Sequence, residues 1–309
     1  MIIDLAIATF HRNAGLQDLL AGIAQMRRPP DVYLRVHVVD NSWAKAALPV
    51  VHGIGTFPVP IRYTHQPKQG LASVRNTALA EAIAIGATHL AFLDDDERPS
   101  ESWLEAHVDA LKSTGAAATM GAVHARFLKS PPKWIKAGGF LELRGYKNRD
   151  PMPFGATSNI VFSLIGLPEE NIRFDPSYDL SGGEDTDFFH RFLATGREIA
   201  FAADAVAFET IPESRATFGW IWRRWRRTGQ TSASLQLNGA AARGEYYRCF
   251  VQGMVRIAAG LVLAVGGSLV SIGTGTPVWA KGLRIAARGF GFVDAATGVL
   301  YQDYAAPQR

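Results

Sequence analysis

Cysteine is nearly absent: Cys249 is the only one in 309 residues. That excludes an internal disulfide framework and any cysteine-built zinc site, and it suits a reducing compartment. Acidic residues are scarce towards the C-terminus. Residues 215–309 hold 3 Asp+Glu against 12 Lys+Arg, whereas 1–214 hold 25 against 20, so a body of net charge −5 precedes a tail of +9. Such a tail calls for an anionic partner, either a lipid surface or a nucleic acid. The start, MIIDLAIATF, lacks a basic n-region and its apolar run is broken by Asp4, so it reads as a first strand and not as a signal peptide. No internal repeat or low-complexity tract is visible. What remains is an ordinary globular composition, 48% hydrophobic, long enough for a full core and a small appended domain.

The first half alternates strand and helix signals, which argues for a mostly parallel sheet with helices on both faces. Ile2 to Ala8, Val36 to Val39, Ile61 to Thr64 and His89 to Leu93 read as strands. Leu16, Leu19, Leu20 and Ile23 recur at helical spacing behind Asn13, and Gly70 opens a helix that closes near Gly86. In such sheets ligands sit beyond the carboxyl ends of the strands, so Thr9 to Arg12, Asp40 and Asp94 to Asp96 are expected on one rim. From 117 to 210 the pattern is less regular. Ala117 to Val123 and Thr157 to Ser163 look extended, with a Pro/Lys/Gly-rich loop at 130–155 between them; Trp134 in that loop either borders a substrate or packs as a loop anchor.

The segment HLAFLDDDERPS, 89–100, ends a strand in Asp94, Asp95, Asp96 and Glu97. One reading is a solvated turn before a helix capped by Ser100, with Glu101 and Glu105 in its first turns. That leaves three successive aspartates unexplained, because crowded like charges repel and buried carboxylates need a cationic partner. A hard divalent cation with oxygen ligands, Mn²⁺ or Mg²⁺, meets the need and also holds a phosphate-bearing substrate. A second acidic group, Glu184, Asp185 and Asp187, follows Gly182-Gly183 at the head of an amphipathic segment. Helix-dipole compensation accounts for one or two of these acids; a carboxylate there also suits a general base towards an acceptor hydroxyl.

Taken together, VVDNS at 38–42, QGLASVRNTAL at 69–79, FLDDDE at 92–97 and GGEDTDFFHR at 182–191 resemble the family 2 glycosyltransferases of GT-A fold, in particular those adding glucose-type residues to lipid-linked repeat units of succinoglycan-like exopolysaccharides. The resemblance runs from about residue 3 to 230, with the four motifs in the expected order. It implies a UDP-sugar donor, with Thr9, His11, Arg12, Asp40, Arg75, Asp94 and Asp95 lining the nucleotide-sugar pocket and Asp40 accepting a hydrogen bond from uracil. It further implies Asp96, with Asp94, as the metal ligands, Asp185 as catalytic base, and Glu184 and Asp187 in support of an inverting, single-displacement transfer. The implied organisation is a catalytic domain over 1–215, nucleotide-binding to residue 100 and acceptor-side from 101, then a basic helical region over 216–309. One departure stands out: relatives carry a His-Glu pair near a proline where this chain reads Phe208-Glu209, so that histidine cannot hold metal or diphosphate here.

In FGWIWRRWRRTG, 218–229, Phe218, Ile221, Trp222 and Trp225 share one helical face and Arg223, Arg224 and Arg227 the other. The segment suits a core-packed helix with a solvated arginine face, an interfacial helix, or arginines touching a diphosphate of donor or lipid acceptor. Ile257 to Ala280 carries no charge and is long enough to span a bilayer, but Gly266-Gly267 and the small residues up to Pro277 favour a helical hairpin lying on or dipping into one leaflet, its second helix running from about Val278 to Ala295 with Lys281, Arg284 and Arg288 as anchors; a soluble helical subdomain or a dimer contact is the alternative. A lipid-linked polyprenyl diphosphate saccharide as acceptor, an anionic membrane surface as partner and a place on the cytoplasmic face of the inner membrane follow as expectations. Two rival functions are weighed. A sugar-phosphate nucleotidyltransferase would want a Gly-rich loop near Thr9 to Asn13, where none exists; a nucleic-acid-binding protein would use the arginine tail, but the acidic body speaks against it.

Overall fold

The computed structural model describes residues 1–238, 243–274 and 277–299. In chain order its elements are β1 (Ile2–Thr9), α1 (Asn13–Gln25), β2 (Tyr33–Asp40), α2 (Leu48–His52), β3 (Ile61–His65), α3 (Leu71–Ala84), β4 (His89–Phe92), β5 (Glu97–Pro99), α4 (Trp103–Thr114), β6 (Ala118–Phe127), α5 (Lys133–Gly138), β7 (Ile160–Ser163), α6 (Glu184–Ala194), β8 (Ile199–Ile211), α7 (Phe218–Leu237), α8 (Arg243–Thr274) and α9 (Val278–Thr297). Among the described residues two compact units result: Met1–Arg126 with Glu142–Thr210, and Phe127–Leu141 with the residues from Ile211 to Val299. The loop holding Trp134 thus belongs to the second unit.

In the first unit the strands form a mixed sheet of order β3-β2-β1-β4-β7-β6-β8-β5. β3, β2, β1 and β4 run parallel; β7 pairs antiparallel to β4 and β6, and β5 antiparallel to β8. Alternation along β1 sends Ile3, Leu5 and Ile7 into the core with α1 and α4, and Ala6 to the opposite face with α3 and α6. Because both faces are covered, β1 reads as a nearly continuous apolar run. Leu16, Leu19, Leu20 and Ile23 are the buried stripe of α1, as their spacing predicts. Helix α4 begins later than the sequence suggests. Residues 97–99 are drawn into the sheet, Ser102 and not Ser100 takes the N-cap position, and the Ser100 carbonyl accepts from Trp103 N at 3.1 Å.

One buried polar knot ties the inserted strands to α4. Asn159, at φ +55°, donates through Nδ2 to the carbonyls of Ala122 and Ala205, both at 2.8 Å. Its Oδ1 accepts from Trp103 Nε1 at 2.6 Å and from His107 Nε2 at 2.9 Å, and His107 Nδ1 accepts from the Thr119 hydroxyl at 2.8 Å. Complete satisfaction is what allows these groups to be fully buried.

In the second unit α7, α8 and α9 pack together, with Arg226 of α7 paired to Asp294 of α9 through two bonds of 2.6 and 2.7 Å. Among the described residues α8 is the one helix long and apolar enough to cross a membrane. The turn expected over Gly273 to Pro277 lies partly outside the described residues; the helices on either side of it form as the sequence suggests.

Candidate active site

At the end of β4 the chain turns through Asp94 to Glu97. Glu97 N–H donates to the Asp94 carbonyl at 2.9 Å, and Asp94 N–H donates to Glu97 Oε2 at 3.0 Å. β8 holds the turn from outside: Thr210 N–H donates to the Asp96 carbonyl at 2.8 Å, and Glu97 registers opposite Glu209. The cationic partner demanded by these acids comes in part from the chain itself. Arg12 Nη1 lies 2.9 Å from Asp95 Oδ1 and 2.8 Å from Asp96 Oδ2, and the Thr9 hydroxyl donates to Asp95 Oδ2 at 2.8 Å. Arg75, buried in α3, sets Nη2 3.7 Å from Asp94 Oδ1 and closes Nη1 onto Glu184 Oε1.

Burial raises the acids of this turn despite these cations. Desolvation pushes Asp94 up to about 7; Arg75 works against the shift, while Asp96, Asp95 and Glu209 add to it. Glu97 is raised well above the ordinary range by burial and by Asp94 beside it. Burial also raises Asp95, against the pull of Arg12 and the Thr9 hydroxyl. Asp94 nevertheless keeps 43% of its side chain exposed, so a ligand can reach it.

The placement of Arg75 is built at the start of α3. Asn41 Oδ1 accepts from Gly70 N at 3.0 Å, and its Nδ2 donates to the carbonyls of Gln66 and Lys68, both at 2.7 Å. Asp179 accepts from Ser73 N at 2.8 Å and from its hydroxyl at 2.7 Å, occupying free donors of the helix N-terminus. Gly70 has φ +144°, and a Cβ there would sit 2.1 Å from Asp179 Cγ. Asp40 works from beneath. The expectation of a uracil contact meets a carboxylate that is fully buried and already accepting from Ser42 N and Ala47 N, both at 2.8 Å, and from the Tyr63 hydroxyl at 3.0 Å. It shapes the 41–47 loop. His11, exposed and at φ +53°, stands edge-on to Phe10 with centroids 4.6 Å apart.

Helix α6 opens at Gly183, φ +97°, and its three acids part company. Glu184 is buried on Arg75. Asp187 is buried on Arg191, which donates from Nε at 3.0 Å and Nη2 at 2.6 Å. Asp185 is half-buried; Oδ1 accepts from Thr186 N at 2.7 Å and from its hydroxyl at 3.2 Å, and Oδ2 has no partner among the described residues. One carboxylate oxygen at a helix N-terminus is thus left able to take a proton.

A model of glycosyl transferase family 2 matches residues 4–171. The succinoglycan biosynthesis protein ExoM of Rhizobium meliloti (strain 1021) is 35% identical over 234 residues, 75% of this chain and 74% of that protein. The chain belongs to glycosyltransferase family 2. Among solved structures, S. aureus TarS 1–349 in complex with UDP-GlcNAc aligns with TM-score 0.53 at 15% identity, over 98% of this glycosyltransferase and 93% of that chain. A second S. aureus TarS structure aligns with TM-score 0.50 at 15% identity, over 95% of this chain and 55% of that one. These likenesses are of fold: the glycosyltransferase has the GT-A-like mixed sheet seen in TarS, followed by C-terminal helices.

No group of three His, Cys, Asp or Glu converges as a metal site among the described residues. A nucleotide-bound Mg²⁺ or Mn²⁺, however, takes one or two carboxylates and completes its shell with phosphates and water. Asp94 and Asp96 are hard oxygen donors of that number, and Asp94 is partly exposed, so the donor set fits such an ion. In the second unit Trp134 sits among Trp279, Phe140 and Phe218, with centroids at 5.3, 5.8 and 6.1 Å, the environment of an anchor. Arg223 is exposed, Arg224 lies 5.3 Å over the Trp220 ring and Arg227 is partly buried. On the helical face opposite them Ile221 and Trp225 are buried, but Phe218 is exposed and Trp222 only partly covered. Sequence reasoning missed Asn41, Ser73, Asp179 and Glu209 as supports. Asn41, Ser73 and Glu209 stood in segments already singled out; Asp179 did not.

Proposed function

We propose that this glycosyltransferase moves a hexose, glucose first among the candidates, from a UDP-sugar to a hydroxyl of a lipid-linked saccharide in exopolysaccharide assembly, at the cytoplasmic face of the inner membrane. One observation carries the reading: Arg75 joins the Asp94 turn to the helix start that presents Asp185, so donor-binding and base groups are held by one side chain. The relative named for succinoglycan biosynthesis supports the pathway class, and the UDP-GlcNAc held by TarS supports the donor class. The basic tail and the apolar α8 support a membrane-bound acceptor.

In the proposed reaction Asp185 Oδ2 takes the proton of the acceptor hydroxyl as its oxygen attacks C1 of the sugar. The bond from C1 to the diphosphate oxygen breaks on the opposite face, and UDP leaves with that electron pair. A divalent cation on Asp96 and Asp94 would, when bound, neutralise the departing diphosphate. Arg12 keeps Asp95 and Asp96 oriented, Thr186 holds the first oxygen of Asp185 so that the second faces the acceptor, and Phe10 and His11 border the base.

Calorimetric titration of UDP with and without Mn²⁺, on the wild type and Asp96→Ala, tests the donor site, followed by a donor screen against lipid-linked acceptors. Metal-enhanced UDP binding lost in the variant is expected. Absence of UDP binding under every condition overturns the reading.

A further inference from the structure

Among the described residues α8 has one exposed face. Its inner side is a seam of small residues against α9: a Cβ on Gly260 would lie 2.5 Å from Ala286 N, one on Gly282 2.4 Å from Ala264 N, and one on Gly289 2.7 Å from the Gly253 carbonyl. Backbone thus packs on backbone, and large apolar side chains on the far side of α8 point outward. Directly opposite the seam stand Val255, Val262, Val265 and Leu269, the last three at 74, 74 and 75% exposure. They form one apolar face along a stretch that carries no charge from Ile257 to Ala280.

The same hairpin carries a cationic edge. Lys281, Arg284 and Arg288 are exposed on one side of α9, and Arg256 of α8 flanks them, its guanidinium over the Phe292 ring at 4.1 Å. Arg284 and Arg256 both bear electrostatically on Arg288, which burial and these two like charges lower from its ordinary value. No carboxylate pairs with any of the four among the described residues, so the edge carries uncompensated positive charge.

We propose that the α8–α9 hairpin is an in-plane docking surface for an anionic phospholipid bilayer, with the Val255, Val262, Val265 and Leu269 face buried at the acyl boundary and Arg256, Lys281, Arg284 and Arg288 on lipid phosphates. The inference rests on the membrane-bound acceptor only for its purpose. The seam itself argues against a span. Gly282 packs level with Gly260 and Ala264, which sets Lys281 and Arg284 alongside the first third of the uncharged stretch, inside its boundary at Ile257; a transmembrane placement of that stretch would carry both cations into hydrocarbon. Lying flat, the hairpin presents apolar and cationic surfaces at the depths where lipid tails and phosphates meet.

The test is sedimentation of the full chain with vesicles of phosphatidylcholine, with and without phosphatidylglycerol, in the absence of donor and acceptor. Binding about tenfold or more tighter to the anionic vesicles and weakened by salt is expected. Val262→Glu with Val265→Glu should reduce binding about tenfold or more, and Arg284→Glu with Arg288→Glu should remove the preference for phosphatidylglycerol. UDP titration of the same variants, unchanged, shows that they are folded and keeps a failure of lipid docking distinct from a failure of the donor site. Equal binding to both vesicle types, or full binding by the valine variant, overturns the proposal. So does a dimer in sedimentation velocity that the valine variant dissociates, which would make a second copy the occupant. Resistance to alkaline extraction from membranes would assign α8 as a span and overturn the in-plane placement.

Discussion

The guanidinium of Arg75 holds the buried carboxylate of Glu184, and through its other nitrogen it approaches Asp94. A side chain of α3 thereby connects the two acidic motifs, which lie 90 residues apart in the chain when counted from Asp94 to Glu184. Removing one partner of such a pair strands the other as an unpaired buried charge. Arg75→Ala should therefore cost about 3–5 kcal/mol in urea denaturation. Glu184→Gln should cost about 1–3 kcal/mol. A double variant whose losses simply add would show that the two residues do not act as a pair.

Asp185 carries no structural burden beyond Thr186. Asp185→Asn preserves its shape and should leave stability within about 0.5 kcal/mol of wild type. UDP binding should persist while transfer falls about 10²- to 10⁴-fold. Retention of near-normal turnover would remove Asp185 from the role of base.

The carboxyl of Asp94, held up to about 7 chiefly by desolvation, must shed its proton before it can ligate a cation. Enhancement of UDP binding by Mn²⁺ should therefore grow from roughly pH 6 to pH 8. Titrations across that range on Asp94→Asn should show little pH dependence. A flat profile in the wild type would count against Asp94 as a ligand.

His107 is fully buried, and desolvation lowers it to about 4, with Asn159 opposing weakly. Its folded value lies below the unfolded value of 6.5, so the unfolded chain binds the extra proton. This contribution is complete above pH 6.5 and is lost as pH falls towards 4, amounting to roughly 3 kcal/mol over the window. Chemical denaturation at several pH values should show the loss, and His107→Gln should flatten it.

Gly70→Ala places a methyl group against Asp179 and forces a positive φ on a residue with a side chain. About 1–3 kcal/mol of stability should be lost. UDP affinity should fall with it, because the start of α3 positions Arg75. Unchanged thermal melting and UDP binding would show that the Asp179 cap does not order this turn.

Much of the fold was legible in local pattern. β1, β2 and β4 announce themselves as largely apolar runs ending in polar residues, and α1 by the spacing of Leu16, Leu19, Leu20 and Ile23, because burial on one or both faces writes a period into the chain. The strand β5 was not legible: three residues, Glu97 to Pro99, have no period, and only pairing with β8 makes them extended. The same pairing moved the start of α4 past Ser100. At the site, DDDE and GGED marked themselves by crowding of like charge, yet nothing local distinguishes Asp185, with a free oxygen, from Asp187, neutralised by Arg191 one turn later.

By itself the sequence determined the chemical inventory: acids at two strand or helix ends, a lone cysteine that excludes disulfides, a charge-free stretch followed by cations. It did so because composition and period are properties of neighbours in the chain. Only the tertiary structure decided how that inventory is spent. Asp40 turned inward to three donors, Arg12 and Arg75 supplied charge that a metal alone had been expected to bring, and the glycines of α8 turned its valines outward. Each of these depends on which distant groups meet, and a hydrogen bond or a backbone contact between residues far apart in the chain leaves no trace in the order of its residues.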